Sequence, residues 1–228
     1  MIDNEFLKFN INLIENKNLF IDHEINNNNE TVLTTTNDKL LDLLQYLRDK
    51  EDLRFRILAD ICCIDYLYNK KYQKRFCIIY NLLSIKFNKR IFVQIFTNDF
   101  EKEPDNYEIS SDIQDLNDEM SFFNQEKHCG IKKNNEIGIN SVSYLFSSAI
   151  WLEREVYDMF GIIFFNMKDN RRILNDYGFK GFPLRKDFPL SGYKQKFYNE
   201  INEEVEYEDL KLDQEYRNFN FRSSWSGK

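Results

Sequence analysis

The chain has 228 residues, of which 42% are hydrophobic, so it can bury one substantial core and is expected to form one domain with an appended segment. Its formal net charge of -7 and its pI near 5.1 argue against a generally basic nucleic-acid-binding protein. No apolar run approaches the roughly 20 residues that cross a bilayer, so any membrane association is expected to come through a partner.

Neither the first residues nor the cysteines indicate a special chemistry. The start, MIDNEFLKFN, lacks the Arg-rich character of an organelle import peptide and the apolar core of a secretion signal. The abundance of Asn, Lys, Ile and Phe suggests AT-rich coding, as in many organelle genomes. Because Cys62, Cys63, Cys77 and Cys129 form no C-x-x-C pair and have no histidine cluster nearby, we expect free buried thiols and no metal or iron–sulfur site.

The first third of the sequence predicts two helices and two strands. Phe6, Phe9 and Leu13 recur at helical spacing behind Asp3, which suggests a short amphipathic helix. Alternation over residues 19–25 and again near Val32 predicts two strands around a polar Asn run. A second helix is predicted to begin with Asn37 as its cap and to end near Arg48 and Lys50, with an apolar stripe formed by Leu40, Leu41, Leu44 and Leu47.

Three β-rich runs follow and predict an α+β domain in which helices flank a mixed sheet. The first run is expected to place Phe55, Ile57, Ala59, Ile61 and Cys63 on one face. The second run, residues 76–85, is apolar on both faces and predicts a central strand that is covered on each side. The third run alternates through its apolar residues Ile91, Val93 and Ile95.

The segment from about residue 99 to residue 140 is rich in acids and shows no periodicity. Such a long irregular stretch inside a compact domain is typical of an inserted loop or of a partner-specific appendage. His128 and Cys129 are adjacent in it, but catalysis by a thiol needs a base and an orienting group within reach. We assign no function to this pair.

The apolar spacing after the insertion predicts a helix over residues 141–160, with Ser141 as its cap and Gly161 as its terminator. Its buried stripe is expected to contain Val142, Leu145, Phe146, Ala149, Leu152, Val156 and Met159. The charged residues lie mostly off this stripe. Arg154 and Asp158 stand four residues apart, so they can pair, with Glu153 and Glu155 beside them.

The charges of this region suggest two chemical roles, and the sequence favours neither. Glu153, Glu155 and Asp158 could act as catalytic carboxylates only if they converged across a cleft, and one-turn spacing on a solvated helix face favours ion pairs instead. Phosphate binding by a group of basic residues has no support, because no P-loop or other glycine-rich anion cradle accompanies them. Those basic residues are Arg171, Arg172, Arg185 and Lys186.

The charge pattern beyond the helix suggests docking. Residues 168–196 carry an excess of basic residues, and residues 200–209 contain acids but no base. Opposed patches can pair with each other or fix the register on a charged partner surface. Single-stranded nucleic acid is the alternative ligand, because basic and aromatic residues interleave here, although the acidic neighbour disfavours it.

Three ordered motifs carry a resemblance to a known family. They read EREVYDMFG at residues 153–161, RRILNDYGF at residues 171–179 and PLRKDFPLSGY at residues 183–193. Together they resemble the signature of the thirty-kilodalton core subunit of respiratory complex I, NADH:ubiquinone oxidoreductase, of the mitochondrial type. Weaker likeness covers RFRILADICCIDY at residues 54–66, RFCIIYNLLSI at residues 75–85 and DQEYRNFNFRSSW at residues 213–225.

The resemblance implies a non-catalytic scaffold subunit that supports electron transfer from NADH to ubiquinone. It implies an α+β domain over residues 1–161, with the insertion at 99–140, and a long extended C-terminal tail over residues 162–228 that docks on partner subunits. The expected partners are other complex I subunits, above all the quinone-site subunit of the forty-nine-kilodalton type, and not nucleic acid. The expected place is the matrix side of the mitochondrial inner membrane, as a peripheral protein attached through the complex and compatible with an organelle gene.

The resemblance further implies that this chain binds no cofactor, and that FMN, iron–sulfur clusters and ubiquinone belong to other subunits. It assigns an interface or structural role, and no catalytic or metal-binding role, to the residues of the motifs. These are Glu153, Arg154, Glu155, Asp158, Gly161, Arg171, Arg172, Asp176, Tyr177, Gly178, Pro183, Arg185, Lys186, Asp187, Pro189, Gly192 and Tyr193.

The sequence departs from the family pattern at two places. Residues 167–170 are Met, Lys, Asp and Asn where the family usually has His-Pro-Asp-Leu, and Phe182 stands where the family usually has a histidine. A role that depends on those imidazoles is therefore not expected for this chain.

Three other functions stay open at this point. The first is the equivalent subunit of a related membrane-bound hydrogenase or plastoquinone-reducing complex. The second is an independent enzyme that uses Glu153, Glu155 or Asp158 with Arg154. The third is a single-stranded nucleic-acid-binding module.

Overall fold

A computed structural model describes residues 19–25, 30–69, 71–98, 138–167, 169–176, 178–212 and 214 of the chain. The helix expected around Phe6 and most of the 99–140 insertion, with His128 and Cys129, lie outside these residues. The chain divides into two compact units, Met1–Asp187 and Phe188–Lys228. The boundary predicted after Gly161 therefore falls inside the first unit.

Two helices and seven strands are described in the first unit. In chain order they are β1 (Asp22–Ile25), β2 (Thr31–Thr34), α1 (Asn37–Asp49), β3 (Ile57–Asp65), β4 (Phe76–Ser84), β5 (Lys89–Thr97), β6 (Ile139–Asn140), α2 (Ala149–Phe160) and β7 (Phe164–Phe165). Five of these strands form one sheet in the order β1-β2-β5-β4-β3. β2 and β5 are parallel and the other neighbours are antiparallel, so the sheet is mixed and the predicted α+β class is confirmed.

One face of the sheet and the apolar faces of both helices share a core. The sheet contributes Leu33 from β2, Ile78 and Tyr80 from β4 and Val93 from β5, all fully buried. The alternation predicted for the third run is confirmed, because Ile91, Val93 and Ile95 all point into this core.

The second run is an interior strand, but it was wrongly predicted to be central and covered on both sides. β5 is the central strand of the sheet, and β4 lies beside it. Phe76 and the alternate residues after it are buried on the helix side of β4. On the other side Cys77 is buried, but Ile79, Asn81 and Leu83 are only half-buried. The apolar character of both faces therefore reflects a half-covered outer face and not a second buried layer.

A β-bulge changes the face assignment predicted for the first run. The register between β3 and β4 shifts between Leu58 and Asp60, which adds one residue to β3. Leu58 and Ile61 therefore point into the core, while Ile57 lies on the other face and is 37% exposed. The predicted alternation is correct at Ile61 and Cys63 and wrong at Ile57, while Phe55, just before the strand, is buried in the core with Ile61.

α1 is confirmed, with small corrections at its start and on its stripe. Thr36 occupies the N-cap position, and Asn37 is the first helical residue. The Asn37 side chain instead joins α1 to β6, since its Nδ2 donates to the Gly138 carbonyl at 3.0 Å and its Oδ1 accepts from the Asn140 amide at 2.9 Å. The fully buried residues are Leu40, Leu43, Leu44 and Leu47, so Leu43 joins the predicted stripe and Leu41 is only partly buried.

α2 is shorter than the helix that was predicted over residues 141–160. It begins at Ala149, and the preceding residues 141–148 form turns, in which the amides of Leu145 and Phe146 donate to the Val142 carbonyl. Ser141 is not a cap, because its hydroxyl donates to Glu153 in the middle of α2. The predicted terminator is confirmed: Gly161 adopts φ +76° and its amide donates to the Tyr157 carbonyl at 2.8 Å.

The second unit contains an antiparallel hairpin, β8 (Lys194–Asn199) and β9 (Glu204–Asp209). Most of its side chains are exposed on both faces. Among the described residues of either unit, no helix combines the length and the apolar character that crossing a bilayer requires.

Candidate functional site

The charged residues of α2 lie mostly inside the protein, contrary to the solvated face that the sequence predicted. Glu153 and Asp158 are fully buried, and Arg154 is only 8% exposed. Glu155 alone of this group faces solvent. Because buried charges are costly unless they are paired or hydrogen-bonded, the partners of these three side chains decide what the helix does.

The Asp158 carboxylate accepts five hydrogen bonds, all from the segment that follows α2 in the chain. Its Oδ2 accepts from the backbone amides of Ile173, Leu174 and Asn175 at 3.1, 2.7 and 2.8 Å. Its Oδ1 accepts from Arg172 Nη1 at 2.7 Å and from the Asn175 side chain at 3.0 Å. Burial by itself would raise the pKa of Asp158, but these donors outweigh it and hold the pKa below its ordinary value.

Arg172 connects three parts of this region. Besides Asp158, its guanidinium donates through Nη2 to the Gly181 carbonyl at 3.1 Å. The group also stacks over the rings of Phe179 and Phe182, at 5.7 and 5.2 Å from their centroids. The Arg172 guanidinium is therefore occupied by contacts within the chain and does not serve as a phosphate ligand.

Arg154 pairs away from its own helix. Its Nε and Nη2 donate to the carbonyls of Arg171 and Arg172 at 2.9 and 3.2 Å, and its Nη1 lies 3.4 Å from Asp169 Oδ2. Asp169 also binds the exposed Arg171 through both carboxylate oxygens, and that contact with Arg171 is the main reason that the pKa of Asp169 falls to about 2. The expected pair between Arg154 and Asp158 is thus replaced by two separate pairs, each joining α2 to residues 169–175.

Glu153 faces the opposite direction and binds residues that precede α2. Its Oε2 accepts from the Ser141 hydroxyl at 2.6 Å, and its Oε1 accepts from the Val142 amide at 2.6 Å. Burial raises the pKa of Glu153 to about 7, although the two hydrogen bonds work against that rise. Near neutral pH the group therefore lies close to the midpoint of its titration.

This titration predicts a stability that falls as pH rises. A folded-state pKa of about 7, above the ordinary 4.5, means that protonated Glu153 favours folding below pH 4.5 and that this contribution is lost as pH rises through 7. From pH 6 to pH 8 the unfolding free energy should fall by about 1 kcal/mol relative to that of Glu153→Gln, which cannot ionise. Urea denaturation of both chains at pH 6, 7 and 8 measures the difference.

Glu155→Gln is the matched control, because Glu155 lies on the same helix and is exposed. The unfolding free energy of this variant should differ from that of the wild type by a constant amount across the same pH range. A constant difference between wild type and Glu153→Gln would show that the buried carboxyl does not titrate in this window.

A second charged cluster joins the end of β3 to residues 185–187. Arg75 binds Asp65 through Nε and Nη2 at 3.0 and 2.9 Å, and its Nη2 also lies 3.0 Å from Asp187 Oδ2. The Lys186 amide donates to Asp65 Oδ2 at 2.9 Å. Burial raises the pKa of Asp65, but the bonds from Arg75, Lys186 and Leu67 hold it below its ordinary value.

Phe182 and Arg185 close over the C-terminal end of α2. Arg185 Nε donates to the Phe160 carbonyl at 2.6 Å, and its guanidinium lies 4.5 Å from the Phe182 ring centroid. Phe182 is 8% exposed and also makes an edge contact with Tyr157. The Phe182 side chain is therefore part of the packing.

The remaining motif residues are not brought to one place. Asp176 accepts the Phe179 amide through its carbonyl, Gly178 is exposed with open space around it, and Pro183 is half-buried. Tyr177 lies outside the described residues. The second unit contains Pro189, Gly192 and Tyr193, and there the Gly192 amide donates to the Pro189 carbonyl.

Asp65, Arg75 and Asn175 belong to these clusters without having been predicted as site residues, and Ser141 was predicted only as a helix cap. Asp65 gave one usable signal, because it continues the alternation of Ile61 and Cys63 and so falls on the buried face of β3. A carboxylate in such a position needs a donor. The other three residues give no comparable signal, since their partners come from distant parts of the chain.

The chemistry available to these clusters is structural. The Asp158 and Asp65 carboxylates are saturated with donors from the same chain, which leaves them neither a proton to give nor a free lone pair aimed at a cleft. Cys77 is buried as expected, whereas Cys62 is exposed and Cys63 is half-buried. Desolvation raises the pKa of the Cys62 thiol to about 11 and that of Cys77 to about 12, so both are protonated at neutral pH. Among the residues that the structure describes, no group of three or more potential ligands could hold a metal ion.

Comparison with protein families identifies one match that covers most of the chain. The model for "Respiratory-chain NADH dehydrogenase, 30 Kd subunit" matches residues 33–117 and 120–194. These residues include both charged clusters and both described helices.

Individual relatives are similar over nearly the whole chain. The sequence is 37% identical over 223 residues to NADH-ubiquinone oxidoreductase subunit 9 of Reclinomonas americana, a match that covers 97% of this chain and 90% of the relative. It is 38% identical to subunit 9 of Acanthamoeba castellanii, over 88% of this chain and 82% of the relative. A subunit of the NADH-quinone oxidoreductase of Paramagnetospirillum magneticum is 36% identical, over 90% of this chain and 83% of the relative.

A solved structure supports the fold. A chain from the membrane-bound sulfane sulfur reductase, an archaeal respiratory membrane complex, matches with a TM-score of 0.52 and 18% identity. The match covers 80% of this chain and 85% of that chain. At this identity the similarity concerns the fold alone.

Proposed function

The chain belongs to the family of 30 kDa subunits of the respiratory-chain NADH dehydrogenase, and we propose that it acts as a non-catalytic subunit in the hydrophilic arm of that enzyme. Its role is to support electron transfer from NADH to quinone by holding other subunits in place. In this sense it is an enzyme subunit, although the isolated chain has no turnover of its own.

The relatives identify the family, and the buried charged clusters support a structural role for this chain within it. Arg154, Asp158 and Arg172, which an enzyme would aim at a substrate, are bound here to backbone amides, carbonyls and side chains of the same chain. They attach residues 169–187 to α2 and β3. A motif of this kind provides a fixed surface, and neighbouring subunits catalyse the reaction.

Several finer features belong to the same proposal. We infer a mitochondrial-type complex, in which the chain is peripheral on the matrix side of the inner membrane and reaches the membrane only through other subunits. The quinone-site subunit of the forty-nine-kilodalton type is the proposed main partner, and the C-terminal tail over residues 162–228 is the proposed docking segment. FMN, iron–sulfur clusters and ubiquinone are assigned to the other subunits. Relatives of both mitochondrial and bacterial origin are compatible with this assignment.

Co-purification tests the proposal directly. A tagged chain should be recovered from mildly solubilised membranes together with the other subunits of the NADH dehydrogenase, and the preparation should reduce quinone with NADH. The free chain should show no NADH oxidation. The second result is expected because the Asp65 and Asp158 carboxylates are hydrogen-bonded within the chain and the Cys77 thiol is protonated.

Three outcomes would contradict the proposal. Recovery of the chain as a free monomer would show that it is not a subunit of the complex. Co-purification with hydrogenase or plastid subunits in place of NADH dehydrogenase subunits would show that it belongs to a related enzyme. Turnover by the purified chain that disappears with Glu155→Gln would make it an independent enzyme.

A further inference from the structure

The hairpin of the second unit has two chemically different faces. Side chains alternate along each strand, and partners in the antiparallel register point to the same side. The aromatic face consists of Lys194, Lys196, Tyr198, Val205, Tyr207 and Asp209. The glutamate face consists of Gln195, Phe197, Asn199, Glu204, Glu206 and Glu208.

The aromatic face exposes a contiguous apolar patch. Tyr198 and Val205 are direct cross-strand neighbours and are 59% and 60% exposed. Tyr207, which follows on the same side, is 51% exposed. Lys196 lies opposite Tyr207, with its ammonium 5.0 Å from the ring centroid. Tyrosines surrounded by polar groups are typical of binding surfaces.

The hairpin also needs a partner for its own stability. A two-stranded hairpin alone is marginally stable in water, because it has no second layer against which to bury its side chains. Tyr198, Val205 and Tyr207 are more than half exposed, so no described residue of the second unit supplies that layer. A bound surface that covers them would stabilise both the contact and the hairpin.

Charge decides which face a partner accepts. The aromatic face carries Lys194 and Lys196 against Asp209, a balance of one positive charge. The glutamate face carries three acids and no base, although Lys211 from beyond β9 reaches Glu208 at 3.2 Å. An apolar surface bordered by carboxylates would attract the first face and repel the second.

We propose that the aromatic face of the hairpin docks on a neighbouring subunit of the same enzyme, at an apolar strip bordered by acidic side chains. This inference rests on the proposed function, which places the chain among such subunits. Tyr198, Val205 and Tyr207 fill the strip, and Lys194 and Lys196 meet its acidic border. The glutamate face remains in solvent and prevents docking in the reversed orientation.

Adjacent aromatic residues on opposite faces provide the test. Tyr198→Ser removes a ring from the aromatic face, and Phe197→Ser removes one from the glutamate face, one residue away. Each tagged variant is expressed in place of the wild-type chain, and the fraction that migrates with the assembled NADH dehydrogenase is measured on native gels. Tyr198→Ser should reduce this fraction about fivefold or more, and Phe197→Ser should change it less than twofold.

Charge variants test the chemistry of the partner. Lys194→Glu combined with Lys196→Glu should reduce assembly, because acids would then face acids. Glu204→Lys combined with Glu206→Lys changes the charge by a similar amount on the other face and should leave assembly unchanged. Equal assembly of the two double variants would overturn the acidic border, and equal assembly of the two serine variants would overturn the choice of face.

Measurements on the free full-length chain separate this inference from its competitors. Tyr198→Ser should leave its melting temperature and its monomeric size unchanged. A melting temperature lowered in proportion to the assembly defect would place the aromatic face against the chain itself. A wild-type dimer that Tyr198→Ser dissociates would make a second copy the occupant. If the wild type itself failed to join the complex, the proposed function would fail first.

Discussion

Replacement of Asp158 by alanine should lower the unfolding free energy by about 3–5 kcal/mol, the usual cost of breaking a buried ion pair on one side. The carboxylate accepts from three backbone amides, from Arg172 and from the Asn175 side chain, and it is fully buried. Its removal leaves these donors without their acceptor and detaches residues 172–175 from α2. Urea denaturation followed by circular dichroism measures the loss.

Two further variants make this result interpretable. Asp158→Asn keeps the shape and one acceptor oxygen but turns an amide group toward donors, so it should cost less than alanine and still more than about 1 kcal/mol. Glu155→Ala changes an exposed carboxylate on the same helix and should stay within about 0.5 kcal/mol of the wild type. Equal stability of the Asp158 and Glu155 variants would show that the buried cluster does not hold the fold.

Replacement of Gly161 by alanine should cost about 2–4 kcal/mol, because backbone strain and overpacking act together at this position. The residue adopts φ +76°, a left-handed conformation that L side chains rarely take. A Cβ atom there would lie 2.6 Å from the Phe182 ring and 2.7 Å from Arg185 Nη2. Arg185 also binds the Phe160 carbonyl, so its displacement would loosen the end of α2.

Gly178→Ala is the matched control for this substitution. Gly178 belongs to the same family signature, yet a Cβ atom there would meet nothing within 4 Å. Thermal unfolding of the two variants should therefore differ by several degrees, with Gly178→Ala close to the wild type. Similar melting temperatures would mean that Phe182 and Arg185 do not pack on Gly161 as described.

Both predictions concern residues of the family signature and both are stability effects. Stability effects are what the proposed structural role of this subunit requires. In such a protein, loss of Asp158 or Gly161 should reduce the amount of assembled enzyme and leave the quinone reductase activity of each assembled complex unchanged. Activity normalised to assembled complex distinguishes this from a catalytic role.

The sequence was sufficient for much of the fold because local patterns decide it. Alternation identified β1, β2 and β5, and the leucine spacing identified α1. Gly161 was recognisable as the end of α2, since a helix commonly ends in a left-handed residue and glycine takes that conformation without strain. The sequence could not show which face of β3 the residues before the bulge occupy, because one extra residue inverts the alternation without any local signal.

The sequence alone determined the family, the α+β class and the end of α2, because ordered motifs, residue spacing and glycine conformation are local properties. Only the tertiary structure decided that Glu153, Arg154 and Asp158 are buried and what they bind. A charged residue on a helix is expected in solvent unless distant donors or acceptors compensate its burial. Here the partners come from residues 141–142 and 169–175, and only the folded chain brings them to α2.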